Sequence, residues 1–257
     1  MMRQASNPDA GEKPLITVVT AVRNRAGELP ACLASVAGQT YPCREHIVVD
    51  GGSTDGTRAL LEARSENLAW WTSEPDGGVY DAWNKALAKA RGNWICFLGA
   101  DDFLWRSDVL ERIVPHLVRT DERVKLVYGR LALVDRSGRV RGFRGRRWEE
   151  ERSRFLGGIM RIPHPGLFHR RTLFETTGGF DASFRLAGDY ELLLRELKRG
   201  RAVHVPGVVV AGMRLGGATH RLAGRFQCLA EVRRARRRHG LAGFSCRLAW
   251  AYAKTLF

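Results

Sequence analysis

Short apolar runs and helical patterns alternate along the first hundred residues, separated by glycine-bearing turns. Residues 15–20 are apolar and rich in β-branched side chains, which predicts a buried strand. Leu29, Cys32, Leu33 and Val36 recur at helical spacing and predict a helix over residues 29–37. Residues 46–49 and 68–71 read as second and third strands. Trp83, Ala86, Leu87 and Ala90 form the apolar face of a helix over 79–91. Five consecutive apolar residues, 94–98, lie between a Gly-Asn turn and Gly99 and predict a strand buried on both faces. Strand, Gly-rich turn and helix in succession are the grammar of an open, Rossmann-like α/β fold with a mostly parallel sheet.

The pattern is less regular beyond that point. A helix over 107–118, a strand over 124–128 and a hairpin around residues 136–139 are followed by residues 143–158. These are rich in Arg and Glu with little periodicity, and so read as a mobile loop near the site. Within residues 186–195 Asp189 opens an amphipathic helix at a capping position, and 203–210 reads as a last strand. From Arg221 a basic helical tail leads to Leu241, Phe244, Leu248, Trp250, Tyr252 and Phe257.

The 257 residues, 44% hydrophobic and 27% charged, suffice for one large α/β domain or two small ones with a sizeable core, and exclude a disordered chain. The net charge of +15 implies an anionic partner. Eleven Lys or Arg against one acid, Glu231, fall between Arg201 and the C-terminus. Five widely spaced cysteines without a CxxC pair exclude a disulfide framework and a zinc site, and fit a reducing compartment. Residues 1–13 are polar and read as a flexible N-terminus without a secretory signal, and no apolar run is long enough to span a membrane. The expected location is cytoplasmic, with peripheral contact at the inner face of the membrane through the tail. A basic run followed by aromatic residues suits an anionic membrane surface, and a basic helix packed back on the domain is the alternative.

Candidate chemistry gathers at the strand ends. Asp50 leaves the second strand into Gly51-Gly52-Ser53, where its carboxylate can accept from a base or a ribose hydroxyl, or else bond its own turn. A second Gly-rich loop, Glu74 to Gly78 with Asp76, enters the helix bearing Asp81, Asn84 and Lys85. That helix start suits a phosphate, whereas Asp81 and Lys85 at i and i+4 also suit a solvated pair. Asp101 and Asp102 at the end of the buried strand repel each other unless a cation binds, and a divalent metal or a helix-capping role accounts for them. The chain has neither a GxGxxG fingerprint nor a phosphate-binding P-loop.

Residues 18–24 (VVTAVRN), 49–57 (VDGGSTDGT), 76–78 (DGG) through Asn84-Lys85-Ala86, and 97–102 (FLGADD) together resemble the family-2 glycosyltransferases, over about residues 15–210. The resemblance implies a GT-A fold over residues 14–220, divided into a nucleotide-sugar half (14–102) and an acceptor half (103–220), with a tail at 221–257. It also implies a nucleotide-diphosphate sugar donor, a divalent metal (Mg²⁺ or Mn²⁺), and inverting transfer to a hydroxyl of a glycan or lipid-linked acceptor in surface-polysaccharide biosynthesis. Carried onto this sequence, it assigns donor contacts to Thr20, Ala21, Arg23, Asp50, Gly51, Ser53, Asp76, Gly78, Asp81, Lys85, Asp102 and Arg214, the metal to Asp101, and the general base to Asp189. His164 and Glu191 fall on the acceptor side, although a lone histidine is more often structural and Glu191 lies two residues along the helix from Asp189. His220 belongs to a closing loop. Two positions depart from the family: Gly99 and Gly188 stand where acids are usual.

Two other classes compete. A nucleic-acid-binding protein would use the basic surface, but the chain has no zinc knuckle, RNP motif or clear helix-turn-helix, so nucleic acid is not an expected partner. A nucleotidyltransferase would use the same acids to attack a phosphate rather than a sugar carbon.

Overall fold

Residues 13–216, 222–245 and 248 are described in a computed structural model. The N-terminal residues through 12, His220 of the closing loop, and Trp250, Tyr252 and Phe257 of the tail lie outside the described residues. Strands β1 (Ile16–Val22), β2 (Arg44–Asp50), β3 (Trp70–Ser73) and β4 (Trp94–Phe97) form a parallel sheet in the order β3-β2-β1-β4. Helices α1 (Leu29–Ala37), α2 (Thr57–Ala63) and α3 (Val79–Leu87) connect them.

The apolar runs are continuous because both faces are covered. Val19, Ile47, Val49, Ile95 and Phe97 share a core with α3, whereas Val18, Val48, Trp94 and Cys96 share the opposite core with α1. Register aligns Val22 with Asp50, Asp50 with Ser73, and Val19 with Phe97. The carboxyl ends of all four strands therefore share one edge, where open α/β sheets bind ligands.

The sheet continues antiparallel through β8 (Leu167–Arg170) to β6 (Leu126–Val134). Strand β9 (Ala202–Arg214) runs parallel to β6, and the short β5 (Phe103–Leu104) runs antiparallel to β9. Strand β7 (Val140–Arg144) completes the expected hairpin with β6. Helices α4 (Val109–Arg119), α5 (Trp148–Leu156), α6 (Arg171–Thr177), α7 (Gly188–Leu197) and α8 (Leu222–Arg238) complete the fold.

Two expectations are corrected, and one open alternative is decided for the described part of the tail. Residues 143–158 are not a loop, because β7 runs to Arg144 and α5 occupies 148–156, anchored by buried Trp148 and Phe155. Glu149, Glu150 and Glu151 in its first turn favour that helix through its dipole. Asp189 does not cap α7; Ala187 does, and Asp189 lies within the first turn. The basic segment α8 packs back on the domain, with Val232 and Ala235 buried in the core shared with α7. Arg236 is itself buried and donates to the carbonyls of Ala242 (2.9 Å) and Leu156. Among the described residues no helix is long and apolar enough to cross a membrane.

Candidate active site

The loops after β1 and β2 are bound into one surface. Asn24 adopts a left-handed φ of 51°, a conformation its short polar side chain tolerates. It exchanges bonds with the second loop: Asn24 N–H donates to Ser53 Oγ at 2.7 Å, and Thr54 N–H donates to Asn24 Oδ1 at 2.9 Å. Asp50 is fully buried and accepts from Ser53 and from Ser73 Oγ (2.6 Å), so its carboxylate ties its own turn to the end of β3. A Cβ at Gly51 would stand 2.5 Å from Asp76 Oδ2, so a larger residue there would displace the Asp76 carboxylate. Ala21 is half-buried and Arg23 exposed at the same rim. Thr20 points inward: its hydroxyl bonds His46 Nε2 at 3.0 Å and Cys32 at 3.6 Å, leaving the backbone as its only route to a ligand.

The loop after β3 is braced internally. Asp76 accepts from Gly78 N–H and Asp81 from Gly77 N–H, each at 2.9 Å. Lys85 Nζ pairs with Glu74 at 2.8 Å and only loosely with Asp81 at 3.8 Å. The Glu74 hydrogen bond raises the Lys85 pKa. Lys85 is thus neither a free phosphate ligand nor half of a simple helix pair.

Asp101 and Asp102 lie where β4 leaves the sheet. Neither caps α4, whose N-cap is Asp108. Asp102 is buried, accepts from the Arg214 N–H at 3.2 Å, and is pushed up to about 7, first by burial and then by the Asp101 charge. Asp101 is half-buried, and the exposed Arg214 guanidinium lies 5.9 Å from the Phe103 ring. The glycine at 99 has a spatial reason. A Cβ there would lie 2.7 Å from Asp102 Oδ2 and 3.1 Å from Asp101 Oδ1, so both carboxylates crowd the volume that an acid would otherwise fill.

The same arrangement recurs at Gly188, where a Cβ would come within 2.8 Å of the Tyr80 ring. This close approach lets Tyr80 Oη donate to Asp189 Oδ1 at 3.2 Å, while Tyr190 N–H donates to the same oxygen at 2.8 Å. Asp189 is held at about 6, above the usual carboxylate range, chiefly by burial. Tyr80 stacks on Phe180 (5.7 Å) and meets Trp83 edge-on (5.4 Å), so an aromatic layer underlies the carboxylate.

His164 belongs to that layer rather than to an open acceptor face. It stacks on Trp83 at 4.9 Å and Phe97 at 5.5 Å, and burial lowers its pKa to about 3, which keeps it neutral. Glu191 is also corrected: it is buried, bonds Arg195 Nε at 3.1 Å and His239 at 2.8 Å, and therefore joins α7 to the end of α8.

Two side chains at the site had no sequence signal. Arg185 donates to the Gly77 carbonyl, and its guanidinium lies 3.0 Å from where a Gly78 Cβ would be, at the start of α3. Glu231, the single acid in the basic C-terminal region, reaches from α8 to accept from the N–H groups of Arg185 (3.0 Å), Leu186 (2.8 Å) and Ala187 (2.9 Å). It thereby holds the two residues before the N-cap and the N-cap Ala187 itself, the segment that leads into Asp189, and places a negative charge near the start of α7. Glu231→Ala leaves those donors unmet and should cost on the order of 2 kcal/mol in urea denaturation, with Glu231→Gln costing less.

Residues 17–178 match the family model described as "Glycosyl transferase family 2". The chain belongs to that family. A PGL/p-HBAD biosynthesis glycosyltransferase of Mycobacterium bovis BCG is 36% identical over 186 residues, spanning 71% of this chain and 69% of the relative. Among solved structures, the mannosyltransferase PcManGT from Pyrobaculum calidifontis, in complex with GDP-Man and Mn²⁺, superposes with a TM-score of 0.68 at 24% identity, covering 97% of this chain and 72% of that one. S. aureus TarS in complex with UDP-GlcNAc gives 0.67 at 16% identity, over 94% and 71%. This family-2 glycosyltransferase therefore carries the GT-A fold, and its matched region ends before α7, α8 and the residues Arg185, Asp189 and Glu231.

Proposed function

We propose that this glycosyltransferase moves a sugar with inversion from a nucleotide-diphosphate donor to a hydroxyl of a glycan or lipid-linked acceptor, with Asp189 as general base. The observation that carries the reading is the Tyr80–Asp189 contact. It sets a carboxylate of raised pKa against the first turn of α3, the helix whose entry loop touches Gly51. The solved neighbours bound to GDP-Man and UDP-GlcNAc support a nucleotide-sugar donor.

Asp101 and Asp102 fit a divalent cation. Their oxygens converge over Gly99, and the repulsion that raises Asp102 is what a cation relieves. Two carboxylates with substrate phosphates are a usual environment for Mg²⁺ or Mn²⁺. When bound, the metal supplies charge stabilisation to the departing diphosphate. Arg185 and Arg214, both exposed at this rim, add positive charge for the same group. The acceptor oxygen bonds to C1 as the bond from C1 to the diphosphate oxygen breaks. The electron pair leaves with the diphosphate, and the acceptor proton passes to Asp189. Tyr80 Oη and the Tyr190 N–H both hold Oδ1, which fixes the carboxylate and leaves Oδ2 to take the proton.

A panel of nucleotide sugars, each with Mg²⁺ or Mn²⁺, tests the donor class by thermal shift and slow donor hydrolysis. At least one nucleoside diphosphate should stabilise the protein in a metal-dependent manner; stabilisation by none would reject the reading. Gly99→Ala forces the Asp102 carboxylate aside and should weaken that metal-dependent binding about five- to tenfold, measured by calorimetry. The exposed Arg225, Arg237 and Arg238 of α8 suit an anionic membrane surface as a site of action, which vesicle co-sedimentation tests.

A further inference from the structure

A cleft of about 380 Å³ opens on the acceptor half between β7, the first turn of α5 and residues 159–161. Arg144, Arg146 and Arg161 line it together with Glu151, Phe143 and Met160. Among the described residues these three arginines form no ion pair, whereas neighbouring Arg141 and Arg154 pair with Asp135 and Glu151. Three like charges around one cleft are an unbalanced cationic site. Arg144 registers this, since partial burial and the adjacent Arg161 both lower its pKa.

Glu151 adds a second, independent requirement. It is 2% exposed, its Oε1 lies 3.3 Å from Arg154 Nη1, and its buried Oε2 has no hydrogen-bond partner. A buried acceptor without a donor calls for one from a ligand or water. Phe143, 47% exposed and backed by the Arg130 guanidinium at 4.3 Å, offers an aromatic face. Guanidinium forks, a carboxylate acceptor and an aromatic face together suit a sugar carrying a negative charge.

The cleft lies on the side of the sheet that holds Asp189. Phe155, one turn along α5 from Glu151, packs on Tyr190 at 5.0 Å and accepts from Tyr190 Oη at 2.9 Å. Tyr190 directly follows Asp189.

We propose that this cleft is an acceptor subsite and that the acceptor is an anionic glycan, its phosphate or carboxylate held by Arg144, Arg146 and Arg161 beside Glu151. The assignment as an acceptor subsite rests on the glycosyltransfer reading above.

The test titrates the full chain calorimetrically with three probes: a methyl glucoside 6-phosphate, a methyl glucuronide and a neutral methyl glucoside. UDP or GDP with Mn²⁺ is titrated in parallel. At least one anionic probe should bind, with affinity that falls as salt rises, and more tightly than the neutral glucoside. Arg144→Ala/Arg161→Ala and the charge reversal Arg161→Glu should each weaken it at least about tenfold while leaving nucleotide affinity and the thermal midpoint unchanged. Which anionic probe binds distinguishes a phosphorylated acceptor from a uronic acid. Equal binding of neutral and anionic probes, anionic binding unchanged in the variants, or competition between the anionic probe and the nucleotide would overturn the proposal. Absence of nucleotide binding with the probe results intact would instead remove the donor reading and leave the anionic cleft standing.

Discussion

Asp189→Asn should lower the transfer rate by about 10²- to 10⁴-fold, the usual contribution of a positioned general base. Asparagine keeps an acceptor oxygen for the Tyr190 N–H and Tyr80 Oη, so fold and donor affinity should persist. The loss then appears in kcat rather than KM. The wild-type pH profile carries the same signature. Burial holds Asp189 at about 6, and the base must be ionised, so kcat should fall as pH drops through about 6. The variant lacks that limb. The Glu231 charge contributes to raising Asp189, so Glu231→Gln should move the limb toward lower pH. A helix-capping role for Glu231 alone would leave the limb in place.

Asp101→Ala should abolish the metal-dependent binding of nucleoside diphosphate and reduce transfer on the order of 10²- to 10³-fold, comparable to losing a major electrostatic stabiliser of the leaving group. Among the described residues the half-buried Asp101 side chain has no bond to the frame, whereas Asp102 is anchored to the Arg214 N–H. Its removal should leave the thermal midpoint of the free protein unchanged or slightly raised, since it relieves the repulsion that pushes Asp102 up. A variant that retains metal-dependent nucleotide binding would move the ligand role away from Asp101.

Residues 14–102 were largely legible in the sequence. Its strands are doubly covered and so read as unbroken apolar runs, and its turns carry glycines wherever backbone or a carboxylate comes close, as at Gly51 against Asp76. The residues beyond 102 were less so. Helix α5 is anchored by Trp148 and Phe155, seven residues apart, with Leu156 partly buried beside them, too sparse a stripe to announce a helix among Arg and Glu. Glu231 bonds to main-chain N–H groups more than forty residues away, and such bonds leave no trace in residue type or spacing. Glu191 looked available because its partners, Arg195 one turn on and His239 at the end of α8, compete for it only once the chain is folded. Gly99 and Gly188 looked like losses from the family pattern. Each instead vacates space for a neighbouring side chain, Asp102 in one case and Tyr80 in the other. A shared motif therefore understates what this chain retains, because volume given up at one position is taken by the next.

The most direct test is a single calorimetric series, Mn²⁺ with UDP and with GDP, run on the wild-type protein, Asp101→Ala and Asp189→Asn, with transfer assayed on the same samples. The account predicts metal-dependent nucleotide binding in the wild type and in Asp189→Asn but not in Asp101→Ala, with transfer lost in both variants. Nucleotide binding lost from both variants together, or transfer surviving in Asp189→Asn, would contradict it.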